Sequence, residues 1–269
     1  MIRTCASPET GAGNETAGKS SNRDGIYLYA IVDNQGWGTD RNIGIDGAQV
    51  YPISNGRVVA MVSKVSCERI RPERRHLSAH QQVLNWLMEV TTPLPVRFGI
   101  IADGPKAIQN ILSHNQEIIL DQLDRVAHRA EMGLIVTWDV PNIFEYFIDT
   151  NSELRTARDR IFGNRREPTQ EEKIEIGQMF NLLHSEYREI YMEKVEKILS
   201  PYCFEIKTTK CRGDREVMNL ACLVDRDSEK KSEFEKGIYE AAQLFDDNYT
   251  FSCKGPWVPH NFTDLNIEL

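Results

Sequence analysis

The sequence predicts an α+β protein of two domains, on three observations. Strand-like and amphipathic helical segments alternate from residue 25 to 128, the order β-α-β-β-α-β runs through residues 129–255, and 41% of the 269 residues are hydrophobic. A chain of this length suggests about two domains, and its apolar content suffices for two cores. We therefore expect an N-terminal mixed α/β sheet domain, then a ferredoxin-like (βαββαβ) domain with a long helical insertion.

The first strands follow a polar N-terminal segment. Residues 1–24 are rich in Gly, Ser, Thr and Asn and hold almost no large apolar residue, so we predict a disordered tail. GIYLYAIVD (25–33) is apolar on both alternating faces, as in a central strand. AQVYPISNGRVVAMVSKV (48–65) predicts two strands joined at Ser54-Asn55-Gly56.

Two helices and a short strand complete the first domain. PERRHLSAHQQVLNWLMEV (72–90) opens with Pro72 and predicts a helix. Its apolar stripe is Leu77, His80, Leu84 and Leu87. PLPVRF (93–98) predicts a strand, and Asp103-Gly104-Pro105 starts a second helix. The stripe of that helix is Ile108, Ile111, Leu112, Ile119, Leu123 and Val126.

The second domain begins with the strand MGLIVTWD (132–139), followed by a helical region, 141–199, that breaks near 163–168. Thr169 and Glu172 form a capping box for a helix that runs to about Leu199. The predicted stripe of this helix is Ile176, Phe180, Leu183, Tyr187, Ile190 and Ile198. Strands at 202–209 and 216–224, a helix at about 229–245 and a strand at 249–254 follow, and residues 256–269 form an extended tail.

The strand patterns agree with this topology, which places the first and third strands centrally. The segments 202–209 and 249–254 alternate apolar and polar residues, as edge strands with one wet face do. With both helices on one face, the other face carries an apolar stripe that needs a cover. The cover is the other domain, the long helix or a partner, and the stripe consists of Ile135, Val217, Ala221 and Leu223.

The bulk composition excludes several classes of function. The net charge of −8 argues against a general binder of nucleic acids or anionic membranes. No apolar run approaches the roughly 20 residues of a membrane span. The six cysteines are scattered and form no CxxC pair, which indicates reduced thiols in a cytoplasmic protein.

The motifs for catalysis and for cofactors are weak or absent. His76 and His80 have the spacing of a helical metal pair, but the glutamate of HExxH and a third ligand are missing. We interpret His80 as a core or interface histidine. The glycines near residue 40 do not match a dinucleotide loop, and Arg212-Gly213-Asp214 is a hairpin turn. We therefore predict no enzyme, no cofactor and no metal.

Arg97 lies within the apolar segment TPLPVRFG (92–99). A buried charge is costly without a partner, so we expect Arg97 in a half-buried seam, stacked on an aromatic ring such as Tyr27 or Tyr29. In one interpretation it forms an ion pair with Glu131 or Asp139 and joins two sheets. In the other it recognises an acidic or carbonyl group of a partner.

Several segments together resemble one family. GIYLYAIV, the L-x-x-H of Leu77 and His80, LPVRFG (94–99), EMGLIVTWD (131–139) and GPWVPHNF (255–262) are similar, in this order, to the gas vesicle accessory proteins GvpF and GvpL. The last block contains Pro256 and Trp257. Together they complete our set of candidate structural or interface residues: Arg97, His80, Glu131, Tyr27, Tyr29, Pro256 and Trp257. This block departs from the usual GPWPPYSF of the family.

The resemblance implies a two-domain protein with a ferredoxin-like C-terminal half. It also implies a non-enzymatic role in gas vesicle formation, in which the protein binds the small hydrophobic shell protein GvpA and other accessory proteins. GvpF-type members are placed at the gas-facing surface, so the expected locations are the gas vesicle and the cytoplasm. The alternative is a small-molecule sensor or enzyme with a pocket near Arg97 and His80.

Overall fold

The computed structural model describes residues 2–3, 25–34, 43–66, 69–163 and 166–264. The chain divides into two compact units, Met1–Ala130 with Trp257–Leu269, and Glu131–Pro256. The sequence predicts a boundary after residue 128 and a separate tail from residue 256. The structure divides the chain after Ala130 and groups Trp257–Leu269 with the first unit.

The first unit is built around a sheet of six strands. They are β1 (Ile2–Arg3), β2 (Gly25–Asp33), β3 (Val50–Ser54), β4 (Val58–Val65), β5 (Leu94–Pro95) and β6 (Ile101–Ala102). The order is β1-β6-β2-β4-β3, with β5 also paired to β2. This confirms the central strand and the β3–β4 hairpin. The prediction of a disordered tail over residues 1–24 is wrong at Ile2 and Arg3, which pair with β6 as β1. The other residues of that tail, and residues 35–42 of the glycine loop, lie outside the described residues.

The part of the first unit that the structure describes contains three α-helices: α1 (Arg74–Val90), α2 (Pro105–His114) and α3 (Gln116–Val126). The second predicted helix is thus two helices, because the backbone at Asn115 (φ −104°, ψ 14°) interrupts it. All six residues of its predicted stripe are nevertheless buried. In α1 the prediction for Leu77 is wrong, since Leu77 is 44% exposed and His76 is buried in its place.

The predicted strand at 93–98 is shorter in the structure. Only Leu94–Pro95 pairs as β5, and the chain then leaves the sheet and returns as β6. Residues 96–100 form what we call the 96–100 bulge. Its two ends bond to β2, from Val96 N–H to the Tyr29 carbonyl (2.9 Å) and from Leu28 N–H to the Ile100 carbonyl (3.1 Å).

Over its described residues, the second unit contains four strands and four α-helices. They are β7 (Arg129–Trp138), α4 (Ile143–Thr150), α5 (Ser152–Phe162), α6 (Gln170–Leu199), β8 (Glu205–Thr208), β9 (Glu216–Asp225), α7 (Ser228–Ala242) and β10 (Tyr249–Trp257). The strand order is β10-β7-β9-β8. The predicted central strands, β7 and β9, are therefore central, and the predicted edge strands, β8 and β10, lie at the edges.

The long helix α6 begins where the sequence predicts. The Thr169 side chain accepts from the N–H of Glu172, and the Glu172 side chain accepts from the N–H of Thr169, which completes the capping box. Ile176 is buried as predicted, but Ile190 is 42% exposed. The helix packs against α4, α5, α7 and β9. Because these neighbours lie on different sides of α6, its buried residues do not follow a single stripe.

The residues of the stripe predicted on the open side of the second sheet are buried or half-buried. Val217, Ala221 and Leu223 are buried and Ile135 is half-buried. The largest buried side chains of this unit include Trp138, Phe147 and Phe234. Within the residues that the structure describes, no helix is both long and apolar enough to cross a membrane.

Candidate functional site

Four aromatic side chains of the first unit form one cluster, which we call the Tyr–His cluster: Tyr27, Tyr29, His80 and Phe98. The ring centroids lie 4.8 Å apart for Tyr27 and Tyr29, 5.7 Å for Tyr27 and His80, and 5.8 Å for His80 and Phe98. These residues come from β2, α1 and the 96–100 bulge. The fold thus brings together three of the sequence segments that carried the family resemblance.

The geometry of β2 explains why both tyrosines lie on one face beside Ala30. Leu28 pairs with Val62 and Ala30 pairs with Met61, so Tyr29 is the extra residue of a β-bulge. Tyr27, Tyr29 and Ala30 consequently join the same buried core.

The Tyr29 hydroxyl holds the segment before β3. It accepts from the Ile45 N–H at 2.9 Å and bonds the Ser63 hydroxyl at 2.8 Å. A Cβ atom at Gly44 would lie 2.0 Å from this hydroxyl, so only glycine fits at Gly44.

His80 is buried and neutral. Its Nδ1 lies 2.9 Å from the Tyr27 hydroxyl, which also accepts from the Gly99 N–H at 3.1 Å. Burial lowers the pKa of His80 to about 4; repulsion from His260 adds to this, and a bond to the Val96 backbone opposes it. A neutral ring accepts at Nδ1 from the Tyr27 O–H. The side chain is 6% exposed, which places it poorly for proton exchange with a substrate.

Arg97 lies at the surface of the 96–100 bulge. Its side chain is exposed, which corrects the expectation of a half-buried seam: the chain leaves the sheet here, and Gly99 adopts φ 91°. Among the residues of its own unit that the structure describes, no hydrogen bond, ion pair or ring contact engages this side chain. Its expected ion-pair partners belong to the other unit, so that pairing stays a prediction.

The remaining candidates lie along β7 and β10. Glu131 is buried in β7. The Asp139 carboxylate accepts from the Thr250 hydroxyl at 3.1 Å, which ties the end of β7 to β10. Pro256 is exposed and Trp257 is 40% exposed.

Position 255, the first residue of the GPW segment, requires glycine for two reasons. Its φ is +134°, and a Cβ there would lie 2.9 Å from the Glu131 carbonyl oxygen. A side chain at this position would be both strained and crowded.

The two histidines with metal-pair spacing bond to different protein groups. His76 Nδ1 lies 2.8 Å from the Arg71 carbonyl and Nε2 lies 3.1 Å from the Asp46 carboxylate, whereas His80 faces Tyr27. In the described ranges, no three His, Cys, Asp or Glu side chains are grouped so that they could hold a metal ion.

A second buried histidine, His184 on α6, belongs to no motif that the sequence analysis identifies. Its Nε2 donates to the Asp214 carbonyl at 2.7 Å, and Arg188 donates to the Gly213 and Glu216 carbonyls at 2.8 Å. Burial lowers the pKa of His184. Together these bonds fix the Arg212-Gly213-Asp214 turn between β8 and β9. The helical pattern could have identified His184 as buried, because position 184 is four residues after Phe180 on the predicted apolar stripe of α6.

A cleft of about 370 Å³ lies between α5 and α6. It is lined by Ser152, Glu153, Thr156, Ala157, Arg160, Glu175 and Met179. Neither Arg97 nor His80 is among its residues, so the cleft gives no support to a pocket at those two side chains.

Comparisons with known proteins assign the chain to a family. The profile described as "Gas vesicle synthesis protein GvpL/GvpF" matches residues 25–264. The chain belongs to the GvpL/GvpF family. Among curated relatives, gas vesicle protein F of Dolichospermum flosaquae is 25% identical over 244 residues, covering 90% of this chain and 98% of that protein. Gas vesicle protein F of Haloferax mediterranei is 22% identical over 253 residues, covering 91% and 95%.

Solved structures of GvpF proteins share the fold. The crystal structure of GvpF from Anabaena sp. PCC7120 superposes with a TM-score of 0.77 at 23% identity, covering 89% of this chain and 98% of that one. GvpF from Microcystis aeruginosa gives a TM-score of 0.73 at 22% identity, covering 88% and 98%. These comparisons confirm the family expected from the sequence, a mixed α+β fold and a gas vesicle-related role.

Proposed function

We propose that this GvpL/GvpF protein acts in gas vesicle assembly by binding the shell protein GvpA and other accessory proteins, without catalysing a chemical step. The observation that carries the proposal is the family match over residues 25–264, which includes both units. In this role the protein works in the cytoplasm and at the gas vesicle, where it faces the gas.

The physical logic of this role is the control of apolar surface. A small shell subunit with a strongly apolar surface aggregates in water unless another protein covers it before assembly. A protein of net charge −8 stays soluble while it does so. This task needs no cofactor and no activated nucleophile.

The geometry of the Tyr–His cluster supports a binding role over a catalytic one. Its histidine is buried, neutral and bonded to Tyr27, so it orders the 96–100 bulge and leaves Arg97 facing outward. An exposed arginine on an ordered loop suits recognition of a carboxylate or carbonyl group on a partner.

Affinity capture after co-expression tests the proposal. Tagged chain and untagged GvpA are expressed together, and the captured GvpA is measured across a salt series from low to high ionic strength. We expect GvpA to be captured by this chain and not by an unrelated acidic protein of similar size and net charge. Failure to capture GvpA at every salt concentration would contradict the proposal.

A further inference from the structure

A short arginine-rich segment stands out on the surface of the first unit. The segment from residue 69 to 75 contains one acidic residue, Glu73, and four arginines: Arg69, Arg71, Arg74 and Arg75. All four arginines are exposed. The chain as a whole has 40 acidic and 32 basic residues, so this segment is a basic patch on an acidic protein.

The backbone of this segment is anchored at both ends. Ile70 is 2% exposed and belongs to the core of the first unit. His76 is 6% exposed, and its ring bonds to the Arg71 carbonyl at 2.8 Å and to the Asp46 carboxylate at 3.1 Å. The side chains between these anchors therefore project from a fixed backbone.

The arginines at the start of α1 do not stabilise this helix. Arg74 and Arg75 are the first two residues of the helix, and its first turn contains no acidic residue. Cations near a helix N-terminus are repelled by the helix dipole. The Arg75–Glu73 ion pair has side chains 69% and 45% exposed, and pairs of this kind contribute little.

An exposed leucine lies next to Arg74 on α1. Leu77 is 44% exposed and is three residues after Arg74, so the two side chains are neighbours on the helix surface. The sequence pattern assigns Leu77 to the core stripe, and the structure places it at the surface. An arginine next to an exposed apolar side chain forms a mixed surface typical of protein interfaces.

We propose that Arg71, Arg74, Arg75 and Leu77, which we call the α1 patch, bind an acidic segment of a protein partner in which carboxylates and apolar side chains alternate. Guanidinium groups bind carboxylates through paired N–H donors, and Leu77 contacts an apolar side chain between them. A long nucleic acid fits less well, because it would extend past the patch over a chain of net charge −8. The inference rests on the proposed function, since it names the chemistry of one partner of a binding protein.

Fluorescence anisotropy with a labelled peptide of alternating glutamate and leucine tests the α1 patch in the full-length protein. We expect binding at low salt that weakens as salt is added. The double variant R74E/R75E should weaken binding by about tenfold or more, and Leu77→Ser by a smaller factor. The control K230E/K236E makes the same charge change at exposed positions of α7 and should change the affinity less than about twofold.

The thermal midpoint separates this role from a structural one. Because glutamates suit the start of a helix, R74E/R75E should keep or raise the midpoint while it loses the peptide. Absence of peptide binding by the unmodified chain, equal losses in both double variants, or tighter binding of a single-stranded oligonucleotide of equal charge would each overturn the α1 patch. If the chain captures GvpA yet never binds the peptide, the patch fails and the proposed function stands.

Discussion

At the scale of residues, the Tyr27 hydroxyl joins two segments that are far apart in the sequence. It accepts from the Gly99 N–H and bonds His80 Nδ1. Leaving either buried group without its partner costs about 1–3 kcal/mol. The bonds therefore hold the 96–100 bulge in place, and the Tyr–His cluster is a structural support for Arg97.

His80→Gln should reduce the acid sensitivity of folding. The pKa of His80 is about 4 in the folded protein against an ordinary 6.5, so the unfolded chain binds the proton first as pH falls. This stabilisation is complete above pH 6.5 and is lost as pH falls through about 4, by at most about 3–4 kcal/mol. Urea unfolding at neutral and mildly acidic pH should show a smaller loss in H80Q than in the unmodified chain. Exposed His114→Gln is the control, and an equal loss in H80Q and H114Q would contradict the assignment.

Arg97→Leu should leave the folded protein nearly as stable as the unmodified chain. The side chain is exposed and has no partner among the described residues of its own unit, and such substitutions change stability by about 0.5 kcal/mol or less. Tyr27→Phe is the matched comparison in the same cluster and should cost about 1–3 kcal/mol. Thermal unfolding measures both. A drop for R97L as large as that for Y27F would restore the architectural interpretation and remove Arg97 from partner recognition.

At the scale of elements, the sequence predicts best those features whose causes are local. The hairpin at Asn55-Gly56 and the start of α6 at Thr169 depend on residues within a few positions, and both are confirmed. The alternation of polar and apolar residues also predicts which strands of the second sheet are central.

The features that the sequence misses depend on distant partners. The sequence predicts one strand over residues 93–98. In the structure the chain leaves the sheet there, and the Gly99 N–H donates to the hydroxyl of Tyr27, about 70 positions away in the sequence. Burial on α1 and α6 is set by neighbouring elements, so Leu77 and Ile190 lie outside the core. Arg97 is exposed because it lies in the 96–100 bulge, where the chain leaves the sheet. The sequence names Tyr27, Tyr29 and His80 as candidates, but it does not give the hydrogen bonds that they form in the fold.

Gly255→Ala should destabilise the junction of β7 and β10. The residue has φ +134°, and a Cβ would approach the Glu131 carbonyl oxygen to 2.9 Å. Backbone strain of this kind costs about 1–3 kcal/mol. Gly213→Ala is the control, because a Cβ there meets no atom within 4 Å. Urea unfolding should separate the two variants, and equal stabilities would show that the junction relaxes without cost.

At the scale of the whole molecule, the family match covers both units and almost the full length of the GvpF relatives. The chain combines a net charge of −8 with a buried hydrophobic core in each unit. Among the described residues of the candidate site, Arg97 is exposed and His80 is buried. In the proposed binding role, the net charge keeps the protein in solution.

The solubility of GvpA tests this account most directly. GvpA is expressed alone and together with this chain, and the soluble fraction is measured after high-speed centrifugation, with an unrelated acidic protein as the control. We predict that GvpA remains soluble and co-purifies only with this chain. A GvpA that sediments equally in all three cases would contradict the account.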